Sequence, residues 1–201
     1  MSPAPRLRPH VHRHGHSHDP DMFTGGAVRH YERVARWFLR GLYRRVAADV
    51  AAAAPPRAAV LDVGTGPGLL LAEIARRRPD LRVTGVDVSP DMVSAAERHL
   101  AHLGDRASVH VADAADLPFE DGMFDLAVCS LSVHHWADVA AGVAEVARVV
   151  GPSGEIRVYD LRFAPFDVVA DAAARQPNLA ERTPTRARLR GGLLPLHCQV
   201  V

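Results

Sequence analysis

The stretch VLDVGTGPG at residues 60–68 constrains this chain more than any other part of it: an apolar run of strand length reaches Asp62 and then three glycines at alternate positions. A run this short, closed by glycine, reads as a buried strand that turns sharply at its end. LLLAEIARRR (69–78) follows with helical spacing and stops at Pro79 and Asp80, and LRVTGVDVS (81–89) is a second apolar run. Strand, helix, strand in that order calls for a parallel pair joined by a crossover.

The alternation continues along the chain. Ser89 offers an N-cap and Pro90 a first helical residue, after which Val93, Ala96, Leu100 and Leu103 step by three and four as far as Gly104. SVHVADA (108–114), MFDLAVCS (123–130) and EIRVYD (155–160) predict three more strands, and Val139, Val143, Val146 and Val150 a helix before a turn at GPSG (151–154). The expected fold is α/β: a doubly wound, Rossmann-like, mostly parallel sheet with helices on both faces. A helix from Phe166 to Arg175 is expected next, then a C-terminal antiparallel hairpin made by TRARLR (185–190) and LLPLHCQVV (193–201) around Gly191 and Gly192. Pro195 makes that last strand a candidate for the sheet edge, or demotes it. Val201 ends the chain among apolar residues, which predicts either an end tucked into the sheet or a truncated chain.

Composition narrows the function classes. With 201 residues and 48% hydrophobic content the chain can bury one substantial core, so one domain (57–201) is expected after a helical segment (22–56) and a disordered tail (1–21). A net charge of +1 gives no overall field for nucleic acid or an anionic membrane. All 24 basic residues are arginine, which removes Schiff-base chemistry and the P-loop, both of which need a lysine. Two cysteines are too few for a disulfide scaffold, nothing near the start reads as a secretory signal, and no apolar run approaches the ~20 residues of a membrane span. A cytoplasmic protein, monomer or homodimer, is expected.

The tail carries His10, His12, His14, His16 and His18 in PHVHRHGHSHDPD. Alternate imidazoles bind Ni²⁺, Cu²⁺ or Zn²⁺, but a Pro-rich tail supplies neither second partners nor a dry cavity, so adventitious binding and no working metal centre is expected. The chemistry is expected instead at the carboxyl ends of the strands, where open α/β sheets bind ligands. Glycines there admit a ligand close to backbone, and the following helix N-terminus presents free N–H groups, so a nucleotide-type cofactor fits. The dinucleotide fingerprint G-x-G-x-x-G is met imperfectly: the third glycine is Gly68, and Leu69 holds the fingerprint position.

VLDVGTGPG resembles the first motif of class I S-adenosylmethionine-dependent methyltransferases, and the resemblance runs on through VTGVDVS, Ala112 with Asp113, MFDLAVCSLSVHHW and RVVGPSGEIRV, in the family's order, over residues 58–160. It is most similar to the small-molecule enzymes of the quinone-biosynthesis type. The resemblance implies S-adenosylmethionine as cofactor and a small-molecule methyl acceptor. Gly64, Thr65, Gly66 and Gly68 would form the loop beside the methionine moiety, with Asp62 toward its amino group. Asp87 would accept both ribose hydroxyls. Val88 and Met92 would pack on the adenine, Asp113 and Ala114 would meet its amino group, and Ser130 would contribute backbone near the amino acid portion. His134 and His135, after the fourth strand, face the acceptor and are the candidate proton acceptors, or structural histidines that orient the loop beside Trp136. Two other readings stay open at this point: a cofactor-binding fold that serves as a partner or metal-handling protein through its His-rich tail, and an NAD-dependent oxidoreductase that shares Asp87.

Overall fold

The computed structural model describes residues 40–180, 183–189 and 196–201. The histidine tail, residues 22–39 and the hairpin residues Gly191, Gly192 and Pro195 lie outside them. Among these residues five helices, α1 (Arg40–Ala53), α2 (Leu69–Arg77), α3 (Pro90–Leu100), α4 (Val139–Val149) and α5 (Phe166–Ala173), are interleaved with seven strands. The strands are β1 (Ala59–Val63), β2 (Arg82–Asp87), β3 (Ala107–Val111), β4 (Phe124–Ser130), β5 (Val150–Asp160), β6 (Thr185–Leu189) and β7 (Leu196–Val200). They form one sheet in the order β3-β2-β1-β4-β5-β7-β6, parallel through β5 and antiparallel at β7 and β6. The doubly wound expectation holds, and so does the C-terminal hairpin.

Burial explains the apolar runs. Val60 and Leu61 of β1 are both fully buried but face opposite cores: Val60 packs with Leu42, Val46 and Ile74 of α1 and α2, Leu61 with Val143, Val146 and Val169 of α4 and α5. A strand covered on both faces has no use for alternation with polar residues. The helix starts follow capping chemistry. The Ser89 hydroxyl accepts from the Met92 N–H at 3.4 Å with Pro90 in the first turn, and Asp138 accepts from the Ala141 N–H at 2.9 Å to open α4. Asp49 of α1 receives both the Tyr159 hydroxyl and an Arg157 guanidinium N–H at 2.6 Å, which fastens that helix to β5.

Two expectations are corrected. The helix ends at Val149, and Val150 opens β5; GPSG is a looped-out part of that strand rather than a turn ahead of it, because Phe124 pairs with Val150 and Leu126 already with Glu155. The last strand is interior, not at the edge: β7 is bonded to β5 on one side and β6 on the other, and the residues that form it contain no proline. The edge is β6. Val201 exchanges both backbone hydrogen bonds with Ile156 at 3.0 Å and is buried.

Candidate active site

The carboxyl ends of β1, β2, β4 and β5 lie side by side, and β1, between β2 and β4, is where the chain order reverses. That is the switch point at which such sheets bind ligands. The loop after β1 is built to turn there. Gly64 has φ +77°, and a Cβ on it would stand 2.4 Å from the Ser132 Cβ; Gly66 has φ +54°, and a Cβ there would meet nothing within 4 Å. The first glycine is required by crowding, whereas the second opens onto free space. Gly64 and Thr65 both donate backbone N–H to the Val86 carbonyl at 2.9 Å, and Gly68 turns in the left-handed region into α2. The Ser132 hydroxyl donates to the Val63 carbonyl at 2.7 Å and locks the loop to the end of β4.

Two carboxylates flank this loop. Asp62 is 1% exposed, its Oδ2 accepts from the Thr65 hydroxyl at 2.9 Å, and its Oδ1 has no hydrogen-bond partner among the described residues. Burial pushes its carboxyl up to about 7, against the Thr65 hydrogen bond and with a contribution from Asp87. Asp87 closes β2; its Oδ2 accepts from the Gly66 N–H at 2.8 Å and its Oδ1 from the Ser89 N–H at 2.9 Å. Burial raises its carboxyl too, while those two N–H groups hold it down. Each oxygen keeps lone-pair capacity for one more donor.

The other expected residues are distributed unevenly. Val88 is 53% exposed beside Asp87 and offers an apolar face; Met92 keeps only 4% of its surface and belongs mainly to the packing of α3. Asp113 is exposed just beyond β3, one oxygen accepting from the Ala115 N–H at 2.9 Å, with Ala114 half-buried next to it. Ser130 is buried at the end of β4, its hydroxyl without a hydrogen-bond partner among the described residues. Cys129 is fully buried, and burial pushes its thiol up, as befits a small apolar residue.

After β4 the chain turns at Leu131, a non-glycine residue with φ +53°, into a 3₁₀ turn at Val133–His135. Trp136 then packs on Gly142, where a Cβ would come within 2.5 Å of the indole, so the turn is pinned to α4. His134 Nδ1 lies 2.8 Å and 3.0 Å from the two oxygens of Asp160, the fully buried last residue of β5. His135 is exposed, its ring centroid 4.0 Å from that of His134. Asp160 is the residue that sequence reasoning missed. Its signal was present: EIRVYD ends a strand in an aspartate, as VTGVD does.

An orphaned buried carboxylate oxygen, a glycine with open space before it and a second carboxylate with spare acceptor capacity suit a ligand carrying an ammonium group and a diol. The strand order and this edge are those of a fold shared by solved S-adenosylmethionine-dependent methyltransferases. Residues 60–154 match the methyltransferase domain family. The demethylmenaquinone methyltransferase of Deinococcus radiodurans is 34% identical over 148 residues, 72% of this chain and 60% of that protein. The ubiquinone/menaquinone biosynthesis C-methyltransferase of Citrifermentans bemidjiense is 33% identical over 116 residues, 56% of this chain and 49% of that one. The chain thus spans roughly half to three fifths of the length of these curated relatives. Among solved structures, a SAM-dependent methyltransferase from Aquifex aeolicus superposes with a TM-score of 0.66 at 17% identity, covering 89% of this chain and 97% of that one. The [4+2]-cyclase SpnF superposes at 0.58 with 20% identity, over 81% and 61%. The fold alone therefore does not fix the reaction. No helix among the described residues is long and apolar enough to cross a membrane.

Proposed function

We propose that this protein is a cytoplasmic enzyme that transfers a methyl group from S-adenosylmethionine to a small-molecule acceptor. Two carboxylates on either side of one glycine loop carry this reading: Asp62, with a buried oxygen awaiting a donor, and Asp87, tied to Gly66. Bound S-adenosylmethionine supplies an electrophilic methyl group on a sulfonium. Asp62 pairs with its ammonium group, the backbone of Gly64, Thr65, Gly66 and Gly68 lies along its amino acid portion, and Asp87 takes the ribose hydroxyls. Val88 and Met92 would pack on the adenine, Asp113 and Ala114 would meet its amino group, and the Ser130 backbone would lie near the amino acid portion. His134 and His135 stand on the acceptor side. The chain's main catalytic task is to hold acceptor and methyl in line with water excluded.

The quinone-biosynthesis names of the two relatives make a quinol the first acceptor to try. Calorimetry with S-adenosylmethionine tests the cofactor assignment: one-to-one binding in the micromolar range, about −8 kcal/mol, is expected. Binding of NADH in its place would favour the oxidoreductase reading. An Asp87→Ala protein that bound S-adenosylmethionine as tightly as the parent would sink the site.

A further inference from the structure

We propose that His99 is a positioning residue for the cofactor loop: its hydrogen bond to the Pro67 carbonyl locks the Pro67–Gly68 peptide, and S-adenosylmethionine affinity depends on that lock. The inference rests on the methyl-transfer reading above and goes beyond it to a residue of α3 that acts through the loop.

His99 Nδ1 lies 2.7 Å from the Pro67 carbonyl oxygen, across 32 residues of sequence. A carbonyl can only accept, so Nδ1 carries the hydrogen and donates it, whatever the state of the other ring nitrogen. The same peptide is tied at its other end, where the Gly68 N–H donates to the Thr65 carbonyl at 3.1 Å. This peptide needs holding more than most. Pro67 has a fixed φ but a free ψ, and Gly68, at φ +75°, has no side chain to keep it in one region, so the plane between them can turn over at little cost. A turned plane takes the carbonyl away from His99 and the Gly68 N–H off Thr65. It thereby changes the course of the backbone along which, in the function proposed above, the amino acid portion of the cofactor lies.

The helix that supplies His99 is fitted closely to this spot. A Cβ on Gly68 would stand 3.0 Å from the Ala96 Cβ and 3.3 Å from Leu100 Cδ1, so Ala96, His99 and Leu100, spaced by three and four, present one face of α3 to Pro67 and Gly68. The same helix begins just after Asp87, whose Oδ2 accepts the Gly66 N–H at 2.8 Å. Consecutive residues of the loop are thus held from the two ends of α3: Gly66 by the carboxylate ahead of its start, Pro67 by the imidazole in its last turn. The ladder of α2 begins afterwards, with the Ala72 N–H on the Gly68 carbonyl at 3.0 Å, so the carbonyl that His99 holds lies one residue ahead of that ladder. His99 itself is half-buried, and its substitution leaves the core of α3 at Val93, Ala96 and Leu100 intact.

S-adenosylhomocysteine is the probe. Calorimetry reads its affinity for the parent protein, His99→Leu and His99→Asn, with melting temperatures measured alongside and the His99 ring of the parent followed by ¹H–¹⁵N NMR. Leucine removes the donor and keeps apolar bulk, whereas the asparagine amide nitrogen stands as many bonds from the backbone as Nδ1 and restores a donor. His99→Leu is expected to bind about three- to tenfold more weakly, the equivalent of one neutral hydrogen bond, and His99→Asn to come within about twofold of the parent. The parent ring is expected to show its hydrogen on Nδ1, a readout that needs no variant to fold. Equal affinity in His99→Leu and the parent, equal losses in both variants, or a ring without hydrogen on Nδ1 overturns the inference. A lower melting temperature of His99→Leu with unchanged affinity marks a packing role and overturns it as well. In each of these cases the parent still binds the probe and the cofactor reading stands; a parent that binds no S-adenosylhomocysteine overturns that reading, and the inference with it.

Discussion

The Asp87 carboxylate accepts the Gly66 N–H at 2.8 Å, so the end of β2 holds the glycine loop that follows β1. One side chain thereby shapes the loop and, in the function proposed above, would also take the ribose of the cofactor.

Removing that carboxylate should cost both functions together. Hydrogen bonds to a charged group contribute about 1.5–3 kcal/mol each, so Asp87→Ala should weaken S-adenosylmethionine binding by at least roughly tenfold to a hundredfold. Calorimetry checks the affinity. Amide exchange at Gly66 checks the loop, and should be faster in the variant.

Asp62 couples cofactor binding and stability to pH in opposite senses. Its carboxyl titrates at about 7 in the fold, against about 4 in an unfolded chain. The fold therefore holds the proton more tightly, and this group's stabilisation is complete below about pH 4 and lost as the pH rises through about 7. Asp62→Asn should be more stable than the parent at pH 8 by roughly 2–4 kcal/mol, with most of the difference gone near pH 4.5 in thermal melts. An ammonium ligand pairs with the ionised carboxylate. S-adenosylmethionine affinity of the parent should therefore rise by up to about tenfold per pH unit toward pH 7 and then level off, and a flat profile would contradict the assignment.

The two glycines of the loop should respond differently to the same substitution. In Gly64→Ala the added carbon would meet Ser132 at 2.4 Å in a left-handed backbone, so a loss of stability of about 2–4 kcal/mol is expected. Gly66→Ala meets no protein atom within 4 Å. It should cost only about 1 kcal/mol in stability while reducing cofactor affinity more than that, because the carbon points where the ligand approaches. Melting temperature and calorimetric affinity, measured on both variants, separate the two effects.

Asp49→Ala should loosen α1 by removing the acceptor for both Tyr159 and Arg157. Arg157 keeps Glu155 as a partner, but the buried Tyr159 hydroxyl loses its acceptor, which costs about 1–3 kcal/mol, visible as a lower melting temperature and faster amide exchange across Arg40–Ala53.

Where the sheet could be read from sequence, the reason was burial on both faces: VLDV, VTGVD and FDLAVCS are apolar because α1 to α5 cover them. The glycine loop and Asp87 were legible because their role is local, a turn and a strand end. Asp160 was not, because its partner His134 is 26 residues away and only the pairing of β4 with β5 brings them together. GPSG misled for a related reason. Its turn chemistry is genuine, but register shift within a strand can absorb four such residues, and that depends on the neighbouring strand. Pro195 signalled an edge, yet the strand after it is enclosed, since a proline ahead of a strand removes no bond from its ladder.

The order β5-β7-β6 also sets a sequence of events during synthesis. Strand β6 leaves the ribosome before β7, yet among the described residues its neighbour in the sheet is β7, so its pairing waits until β7 has been made and seated against β5. A waiting strand with unpaired backbone invites pairing with other nascent chains. TRARL places two arginines in those five residues, and this positive charge repels a second copy of itself through the interval.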